Sequence, residues 1–412
     1  MTRAVTFVHV ADVHLDAPFG GVSAADERVR RSLVASTYEA FDRVIDVCLE
    51  RDVDFLVIAG DAYNAADKNL RAQLRFQAAV GRLAEAGIRV FLARGNHDPA
   101  SGWSAGLTMP DNLHEFASDR VERIEFQAEG APPCALYGRS YATAAVTANL
   151  AQEFRREPAD ELAIAVLHAN VGGQSDYEPY APCSLADLRS AGMDYWALGH
   201  IHKPMLLQTD PHTRYAGSPQ GLNPKEDGPH GCWVVTIEPG HIAEEFVPTA
   251  SVSWARVDLD VAGTETIEQL RTAVREACER EREAAAGTPL VMRLDIAGRC
   301  AVHTRLARAG AWSELVGELR DEQLAGSPWL YLDRVRDLTR SPLDLDALRD
   351  AEDFTGDLVR IADHIRKDGS AFVDEVLSGL DGSVGRHDRD ADELIGRAID
   401  LCLDRLIGDD DR

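Results

Sequence analysis

The sequence predicts a layered α/β protein, with sheets flanked by helices, followed by a smaller α+β domain and by C-terminal helices. Strand and helix patterns alternate along the first part of the chain, which is typical of layered α/β domains. The pattern changes near Ser251, and the chain from about Phe354 onward is helical in character. With 412 residues the chain is too long for one ordinary core, and the predicted domains are 1–250, 251–340 and 341–412.

The first predicted domain consists of short apolar runs that alternate with amphipathic segments. The run "AVTFVHVAD" predicts a buried strand because it is rich in β-branched and aromatic residues, and residues 24–50 carry apolar side chains at helical spacing. Next, "VDFLVIAGD", "LRAQLRFQAAVGRLAEAG" and "IRVFLARGNHD" predict a strand, a helix and a strand. Further strands are predicted at "ELAIAVLHAN", "MDYWALGHIH", "TRYAGSPQG" and "GCWVVTIE". In sheets of this kind, reactive groups collect beyond the carboxyl ends of the strands.

The later parts of the chain predict a small domain and a helical tail. "ARVDLDV", "PLVMRLDIAG" and "PWLYLDRVRD" predict strands, and residues 264–285 predict a charged amphipathic helix. Residues 390–407 predict a helix with one apolar stripe, and the shorter apolar segment "SAFVDEVLSGL" precedes it. The stripe consists of Leu394, Ile395, Ala398, Leu401, Cys402 and Leu406. We expect it to pack either on its own domain or on a partner protein.

Composition and charge exclude several classes of protein. No apolar run is long enough to span a bilayer and no signal-peptide pattern is present, so we expect a cytoplasmic protein without a membrane partner. The seven cysteines are scattered and form no CxxC pair, which fits reduced thiols. A net charge of −26 argues against a basic DNA-binding protein, but it leaves open a nucleic-acid enzyme whose divalent ions supply positive charge locally.

Potential metal ligands stand at the ends of the predicted strands of the first domain. They are Asp12 and His14, then Asp61, then Asn96, His97 and Asp98, then His168, and finally His200 and His202. Residues at i and i+2 of an extended chain point the same way, so each D-x-H or H-x-H pair should converge. Any one of these residues could be a turn former or an ordinary histidine. Together they favour a site for two divalent ions that share a carboxylate.

The motifs "DVH", "GD", "GNHD", "LHAN" and "GHIH" resemble those of the calcineurin-like metallophosphoesterases, which implies a layered metallophosphoesterase sandwich. The longer stretches "HVADVHLDAPF", "WALGHIHKP" and "YAGSPQGLNPKEDGPHGC" resemble one branch, the bacterial SbcD-type DNA repair exonucleases. This resemblance covers about residues 5–232. It implies a two-metal DNA exonuclease with single-strand endonuclease activity, Mn²⁺ as the metal, and an SbcC-like, SMC-type ATPase bound through the C-terminal helices. A homodimer stays open.

The resemblance also implies a role for each residue of the site. Seven residues would be metal ligands: Asp12, His14 and His202 for one ion, Asn96, His168 and His200 for the other, and Asp61 as the bridge. His97 would be the catalytic residue, facing the leaving oxygen as proton donor, with Asp98 as its support. The family often has Asp or His near the catalytic histidine where this chain has Asn64, and an amide cannot stabilise an imidazolium as a carboxylate would.

Other functions stay open on the sequence alone. The same metal centre would serve a phosphodiesterase or phosphatase acting on small nucleotides or phosphoproteins, and a non-catalytic scaffold that recruits an ATPase is an alternative of another class. Five arginines after Ser251 are candidate DNA contacts, although each could pair with a local acid instead: Arg256, Arg271, Arg275, Arg293 and Arg305. The loop 217–227 is either an ordinary turn or a substrate-facing loop whose Lys225 meets a phosphate.

Overall fold

The fold is known from a computed structural model, which describes residues 3–19, 22, 26–127, 130–238, 240–306, 308, 310–368 and 391–407, without the side chains of residues 368, 391–394, 397, 404 and 407. The strands are β1 (Val5–Val10), β2 (Phe55–Ala59), β3 (Arg89–Ala93), β4 (Leu113–Glu115), β5 (Glu122–Phe126), β6 (Cys134–Arg139), β7 (Leu162–His168), β8 (Tyr195–Gly199), β9 (Met205–Thr209), β10 (His212–Tyr215), β11 (Gly231–Glu238), β12 (His241–Pro248), β13 (Ser253–Asp260), β14 (Leu290–Arg299) and β15 (Leu330–Arg340). The α-helices are α1 (Glu27–Glu50), α2 (Leu70–Glu85), α3 (Leu185–Ser190), α4 (Ile267–Ala284), α5 (His303–Leu306), α6 (Ala311–Leu324), α7 (Leu345–Arg349), α8 (Phe354–Asp368) and α9 (Ala391–Ile407).

Two six-stranded sheets face each other, in the orders β12-β11-β1-β2-β3-β4 and β5-β6-β7-β8-β10-β9. Strands β1 to β4 are parallel, and so are β6, β7, β8 and β10. Phe7, Phe55 and Phe91 of the first sheet share one buried cluster with Leu136 and Ile164 of the second. Further clusters join the outer face of the first sheet to α1 and α2, and cover the outer face of the second. The layered α/β fold predicted from the sequence is therefore confirmed.

The helices of this sandwich begin where side chains satisfy their first amide groups. Helix α1 begins at Glu27, three residues later than predicted, because the Asp26 carboxylate accepts a hydrogen bond from the amide of Arg28. Helix α2 begins after Asn69, whose side chain accepts from the amide of Ala72. The sequence analysis did not identify β4, β5, β6, β9 and β12, although β6 is a buried central strand.

The chain divides into two compact units. One consists of Met1–Arg256, Glu281–Arg293 and Gly326–Asp333, and the other of Val257–Arg280, Leu294–Ala325 and Arg334–Arg412. A three-stranded sheet has the order β13-β14-β15, which matches the three strands predicted for this part of the sequence. Among the described helices, none has the length and apolar composition that a bilayer span requires.

Helix α9 packs on α8 through a face that differs from the predicted stripe. Ile395, Ile399 and Leu403 are buried in one cluster with Val359 and Ala362 of α8. Of the predicted stripe only Ile395 belongs to this cluster, whereas the other described members are exposed: Ala398, Leu401, Cys402 and Leu406. The prediction of a single stripe was wrong because α9 is apolar on two sides. The side chain of Leu394 and the segment "SAFVDEVLSGL" lie outside the described residues.

Candidate metal centre

The carboxyl ends of β2, β3 and β7 meet at one edge of the sandwich, although β7 belongs to the second sheet. Nε2 of His168 lies 3.0 Å from Oδ1 of Asn96 and 3.4 Å from Oδ2 of Asp61. Two glycines allow this approach. A Cβ atom added to Gly60 would lie 2.2 Å from Nδ1 of His168, and one added to Gly95 would lie 2.3 Å from Oδ1 of Asp61. Any side chain at either position would displace a candidate ligand.

Several candidate ligands have a left-handed backbone, which non-glycine residues rarely adopt. The φ angles are 52° at Asp12, 46° at His14, 55° at Asp61 and 99° at His200. Such conformations cost about 1–3 kcal/mol each and persist only where the surroundings hold them. Here the amide of Asp12 donates to the carbonyl of Gly60 at 3.0 Å, and the amide of His14 donates to the carbonyl of Asp61 at 2.9 Å. Strain of this kind is concentrated at functional sites.

One group of potential metal ligands consists of Asp12, His14 and His202, whose ligand atoms all lie within 4.8 Å of one another. The Nε2 atoms of His14 and His202 are 3.3 Å apart, and Nε2 of His202 lies 4.0 Å from Oδ1 of Asp12. Two imidazole nitrogens and a carboxylate oxygen are donors that Mn²⁺, Fe²⁺ and Zn²⁺ accept. These three side chains therefore could hold one divalent ion.

A second group consists of Asp12, Asp61 and His168, and Asn96 and His200 extend it. The ring centroids of His168 and His200 are 5.2 Å apart. Asp61 faces both groups, because its Oδ2 lies 3.7 Å from Nε2 of His14 as well as 3.4 Å from Nε2 of His168. A carboxylate that faces two groups of donors is suited to a pair of divalent ions. The fold thus brings together all seven ligands predicted from the sequence.

One ring nitrogen of each histidine in the centre contacts an oxygen atom of a residue that is not a proposed ligand. Nδ1 of His14 contacts Oδ1 of Asn64 at 3.0 Å, Nδ1 of His168 contacts the carbonyl of Ala59 at 3.0 Å, and Nε2 of His200 contacts the carbonyl of Glu178 at 2.8 Å. These oxygens accept, so an imidazole N–H of each ring points outward and the other ring nitrogen is left to face the centre. Outer contacts of this kind fix the tautomer and orientation of metal ligands.

The fourth histidine is held by a carboxylate that the sequence analysis did not assign. Nδ1 of His202 lies 3.1 Å from Oε1 of Glu226, and Oε2 of Glu226 accepts the amide of Leu222 at 2.8 Å. The sequence analysis considered the loop 217–227 as substrate-facing, but because of Lys225 and not because of Glu226. No local pattern indicates this contact, because it joins two residues 24 positions apart.

Buried charges in the centre favour cations. Burial raises the pKa of Asp12 to about 6, although His202 and His168 oppose this shift. Burial opposes the charge of Asp61 as well, but the nearby His168 holds the pKa of Asp61 well below its usual range. Burial lowers the pKa of His14 to about 4, which keeps its ring neutral and able to bind a metal. The donor set therefore fits two divalent ions.

Asp98 and Asn64 contact other groups than those expected. Asp98 was predicted to support His97, but its carboxylate accepts backbone amides from Asp61, Ala62 and Gly95 and so fixes two strand-end loops. Asn64 contacts the ring of His14, as described above, and not that of His97. His97 itself is exposed, its ring lies 4.8 Å from that of His14, and its amide donates to Oδ1 of Asp61 at 2.8 Å.

We expect Glu226→Ala to weaken metal binding by about 10- to 100-fold, because Nδ1 of His202 loses its acceptor. Calorimetric titration of the metal-free protein with Mn²⁺ measures this change. Glu226→Gln keeps an acceptor oxygen and should lie between the alanine variant and the wild type. Asp227→Ala, at an exposed neighbouring carboxylate, is the matched control. Unchanged affinity in Glu226→Ala would show that His202 needs no support from outside the centre.

Comparisons with known proteins agree with this geometry. Residues 5–204 match the model of the family described as calcineurin-like phosphoesterase, and residues 254–340 match that described as metallophosphoesterase YhaO, middle domain. The chain is 32% identical to the uncharacterized metallophosphoesterase YhaO of Bacillus subtilis over 92% of its own length and 91% of that protein.

Two further similarities are more distant and less extensive. The chain is 27% identical to the DNA double-strand break repair protein Mre11 of Methanopyrus kandleri, over 65% of this chain and 62% of that protein. It is 24% identical to a subunit of the SbcCD nuclease of Bacillus subtilis, over 57% of this chain and 67% of that protein. With the long match to YhaO, these findings show that the chain belongs to the calcineurin-like metallophosphoesterase family.

Proposed function

We propose that this protein is a two-metal-dependent phosphodiesterase of the SbcD type that cleaves DNA from its ends and cuts single strands internally. The observation that carries the hydrolytic part is the position of Asp61 between two groups of donors. The similarity to an Mre11 repair protein and to part of the SbcCD nuclease favours DNA as the substrate. Manganese is the proposed metal, because carboxylate, amide and imidazole donors suit it.

The proposed ligand sets follow the two groups of donors. Asp12, His14 and His202 would hold one ion, Asn96, His168 and His200 would hold the other, and Asp61 would be shared by both. The donor-atom distances among six of these residues, and the 5.2 Å between the ring centroids of His168 and His200, support this assignment. When bound, the ions supply Lewis-acid activation of the attacking water and of the phosphoryl oxygens.

The proposed catalytic residue is His97, which is exposed beside the ligands and is therefore accessible to a substrate. It donates a proton to the oxygen that leaves phosphorus. The amide of His97 donates to Asp61, which fixes the backbone of the proton donor relative to the bridging carboxylate. Asp98 fixes the loops on either side by accepting three backbone amides.

A phosphodiesterase or phosphatase acting on small nucleotides or phosphoproteins is the alternative enzyme, since the metal centre suits it equally. The deciding experiment incubates the protein with 3′- and 5′-labelled duplex, hairpin and single-stranded DNA in Mn²⁺ and in Mg²⁺. Progressive shortening from one end supports the proposal. Hydrolysis of bis(p-nitrophenyl) phosphate without cleavage of any DNA would favour the alternative. A non-catalytic scaffold would hydrolyse neither DNA nor bis(p-nitrophenyl) phosphate. The convergence of the proposed ligands argues against this second alternative.

Three of the five arginines suggested as DNA contacts form ion pairs with acidic side chains. Arg275 pairs with Glu322 at 2.6 Å, Arg271 lies 3.6 Å from Glu268, and Arg293 pairs with Asp333 at 2.9 Å. The alternative left open for them, pairing with local acids, therefore applies to these three. We therefore expect DNA to contact residues closer to the metal centre.

The proposed partner is an SMC-type ATPase that binds the exposed apolar side of α9. Leu401 and Leu406 are 55% and 41% exposed, although both are leucines on a helix whose other side is packed. Asp400 anchors the helix to its own unit, because it accepts from Arg299 at 2.6 Å and lies 3.0 Å from Arg340. The helix is thus held in place while leucine side chains stay available to a partner.

Leu401→Asp combined with Leu406→Asp should abolish binding of the ATPase and leave the melting temperature near that of the wild type, because both side chains are exposed. Leu403→Asp is the matched control on the same helix. It places a charge in the buried α8–α9 cluster and should lower the free energy of unfolding by about 2–5 kcal/mol. A pull-down with the SMC-type ATPase of the same organism, paired with thermal melts, measures both effects. Retained binding in the double variant would exclude this surface.

A further inference from the structure

A cleft of about 970 Å³ lies directly beside the metal centre, because His202 forms part of its wall. Other residues of the wall include Gln174, Tyr177, Lys203, Lys225 and Trp233. The ring of Tyr177 lies 6.0 Å from that of His202, so an aromatic side chain stands next to this candidate ligand in the wall of the cleft. A substrate whose scissile phosphate lies at the metal ligands would extend into this space.

The cleft holds two lysines in a chain that has only four. The sequence contains Lys68, Lys203, Lys225 and Lys367 against 69 acidic residues, and two of the four lysines line this one cavity. Both are exposed, and within the described residues neither ammonium group has an ion pair or a hydrogen bond. This contrasts with the paired arginines Arg275 and Arg293. Positive charge is therefore available here to an anionic ligand.

Each lysine is adjacent in sequence to a residue of the metal centre or its support. Lys203 follows the candidate ligand His202, and Lys225 precedes Glu226, which holds the ring of His202. The backbone around Lys225 is fixed in turn, because its amide donates to Oδ1 of Asn223 at 2.9 Å and the amide of Glu226 donates to the carbonyl of Asn223 at 3.0 Å. Both lysines thus line the same cleft as the candidate metal ligand His202.

We propose that Lys203 and Lys225 bind a second phosphate of the substrate, next to the phosphate that is cleaved on the same strand. This proposal rests on the proposed function and deepens it, because it makes a polynucleotide a better substrate than an ester with one phosphate. An ammonium group is a compact charge that suits a phosphate oxygen. The other carboxylates of the cleft, Asp176 and Asp227, are exposed, so solvent and salt screen their charge.

The test compares two substrates of the full-length, Mn²⁺-loaded protein: thymidine 5′-(p-nitrophenyl phosphate), which has one phosphate, and single-stranded hexathymidylate. Lys203→Ala combined with Lys225→Ala should lower the ratio of kcat/KM for hexathymidylate to kcat/KM for the ester by about 10-fold or more. The dependence of log kcat/KM on log salt for hexathymidylate should become shallower by about 1.4, since two phosphate contacts are lost. Lys367→Ala, which removes an exposed lysine outside the cleft, should leave the ratio unchanged.

The outcomes separate this site from the function on which it rests. If the wild type cleaves hexathymidylate and the double variant keeps the ratio, the second phosphate site is overturned while the nuclease function stands. If Lys367→Ala lowers the ratio as much as the double variant does, the effect is one of net charge and the site is also overturned. If the wild type hydrolyses the ester but no DNA, the proposed function fails, and the site fails with it.

Discussion

Asp61→Ala should empty the centre of at least one metal ion and abolish hydrolysis of both DNA and bis(p-nitrophenyl) phosphate. Oδ2 of Asp61 lies within 4 Å of both His14 and His168, so the two groups of donors share this carboxylate. Without it, Asp12 is the one carboxylate left among the proposed ligands, so less negative charge would offset the repulsion between two divalent ions. A bridging anion offsets that repulsion, and its loss is therefore more damaging than the loss of a single peripheral ligand.

Metal content per chain, measured by elemental analysis after dialysis against Mn²⁺, tests this expectation beside the two activities. Asp61→Asn is the conservative variant, because the amide keeps an oxygen that can accept the amide hydrogen of His97 while the negative charge is lost. Asp119→Ala removes an exposed carboxylate of the same unit and should change neither property. Two ions per chain together with normal hydrolysis in Asp61→Ala would refute the two-metal centre.

The strand ends are the part of the site that could be read from the sequence. The carboxyl ends of parallel strands lie at one edge of a sheet. Potential ligands that follow several apolar runs are therefore predicted to lie close together, although they are far apart in the sequence. Asp61 after "VIAG" and His168 after "AIAVL" are such cases, and the structure brings them within 3.4 Å of each other. Asp61 and His168 belong to different sheets, however, so their approach also depends on how the two sheets pack, which the strand-end rule does not give.

The outer contacts could not be read in the same way. Glu226 reaches His202 across a loop, and the carbonyls of Ala59 and Glu178 reach their histidines from positions far apart in sequence. Such contacts depend on how turns place backbone groups, which residue type does not reveal. Helix α9 shows the same limit, since Ile399 and Leu403 face its own unit while Leu401 faces solvent, and apolar spacing alone did not separate the two sides.

His97→Ala should lower turnover of DNA by about 10²–10⁴, the span expected for a lost general acid, and leave two metal ions bound. The leaving oxygen of a DNA strand is a poor leaving group, so it needs a proton as the bond to phosphorus breaks. Bis(p-nitrophenyl) phosphate has a leaving group that needs little protonation, and its hydrolysis should fall much less. His241→Ala, which removes an exposed histidine of β12, is the matched control and should affect neither substrate.

The geometry around His97 makes metal content the deciding measurement. His14, Asp61 and His97 also offer ligand atoms within 4.8 Å of one another, so a role for His97 as a metal ligand is a real alternative. The exposure of His97 and the hydrogen bond from its amide to Asp61 favour a side chain that faces the substrate instead. Loss of an ion in His97→Ala, with both substrates impaired to the same degree, would assign His97 to the metal centre. Full metal content with a selective loss for DNA is the result that a proton donor requires.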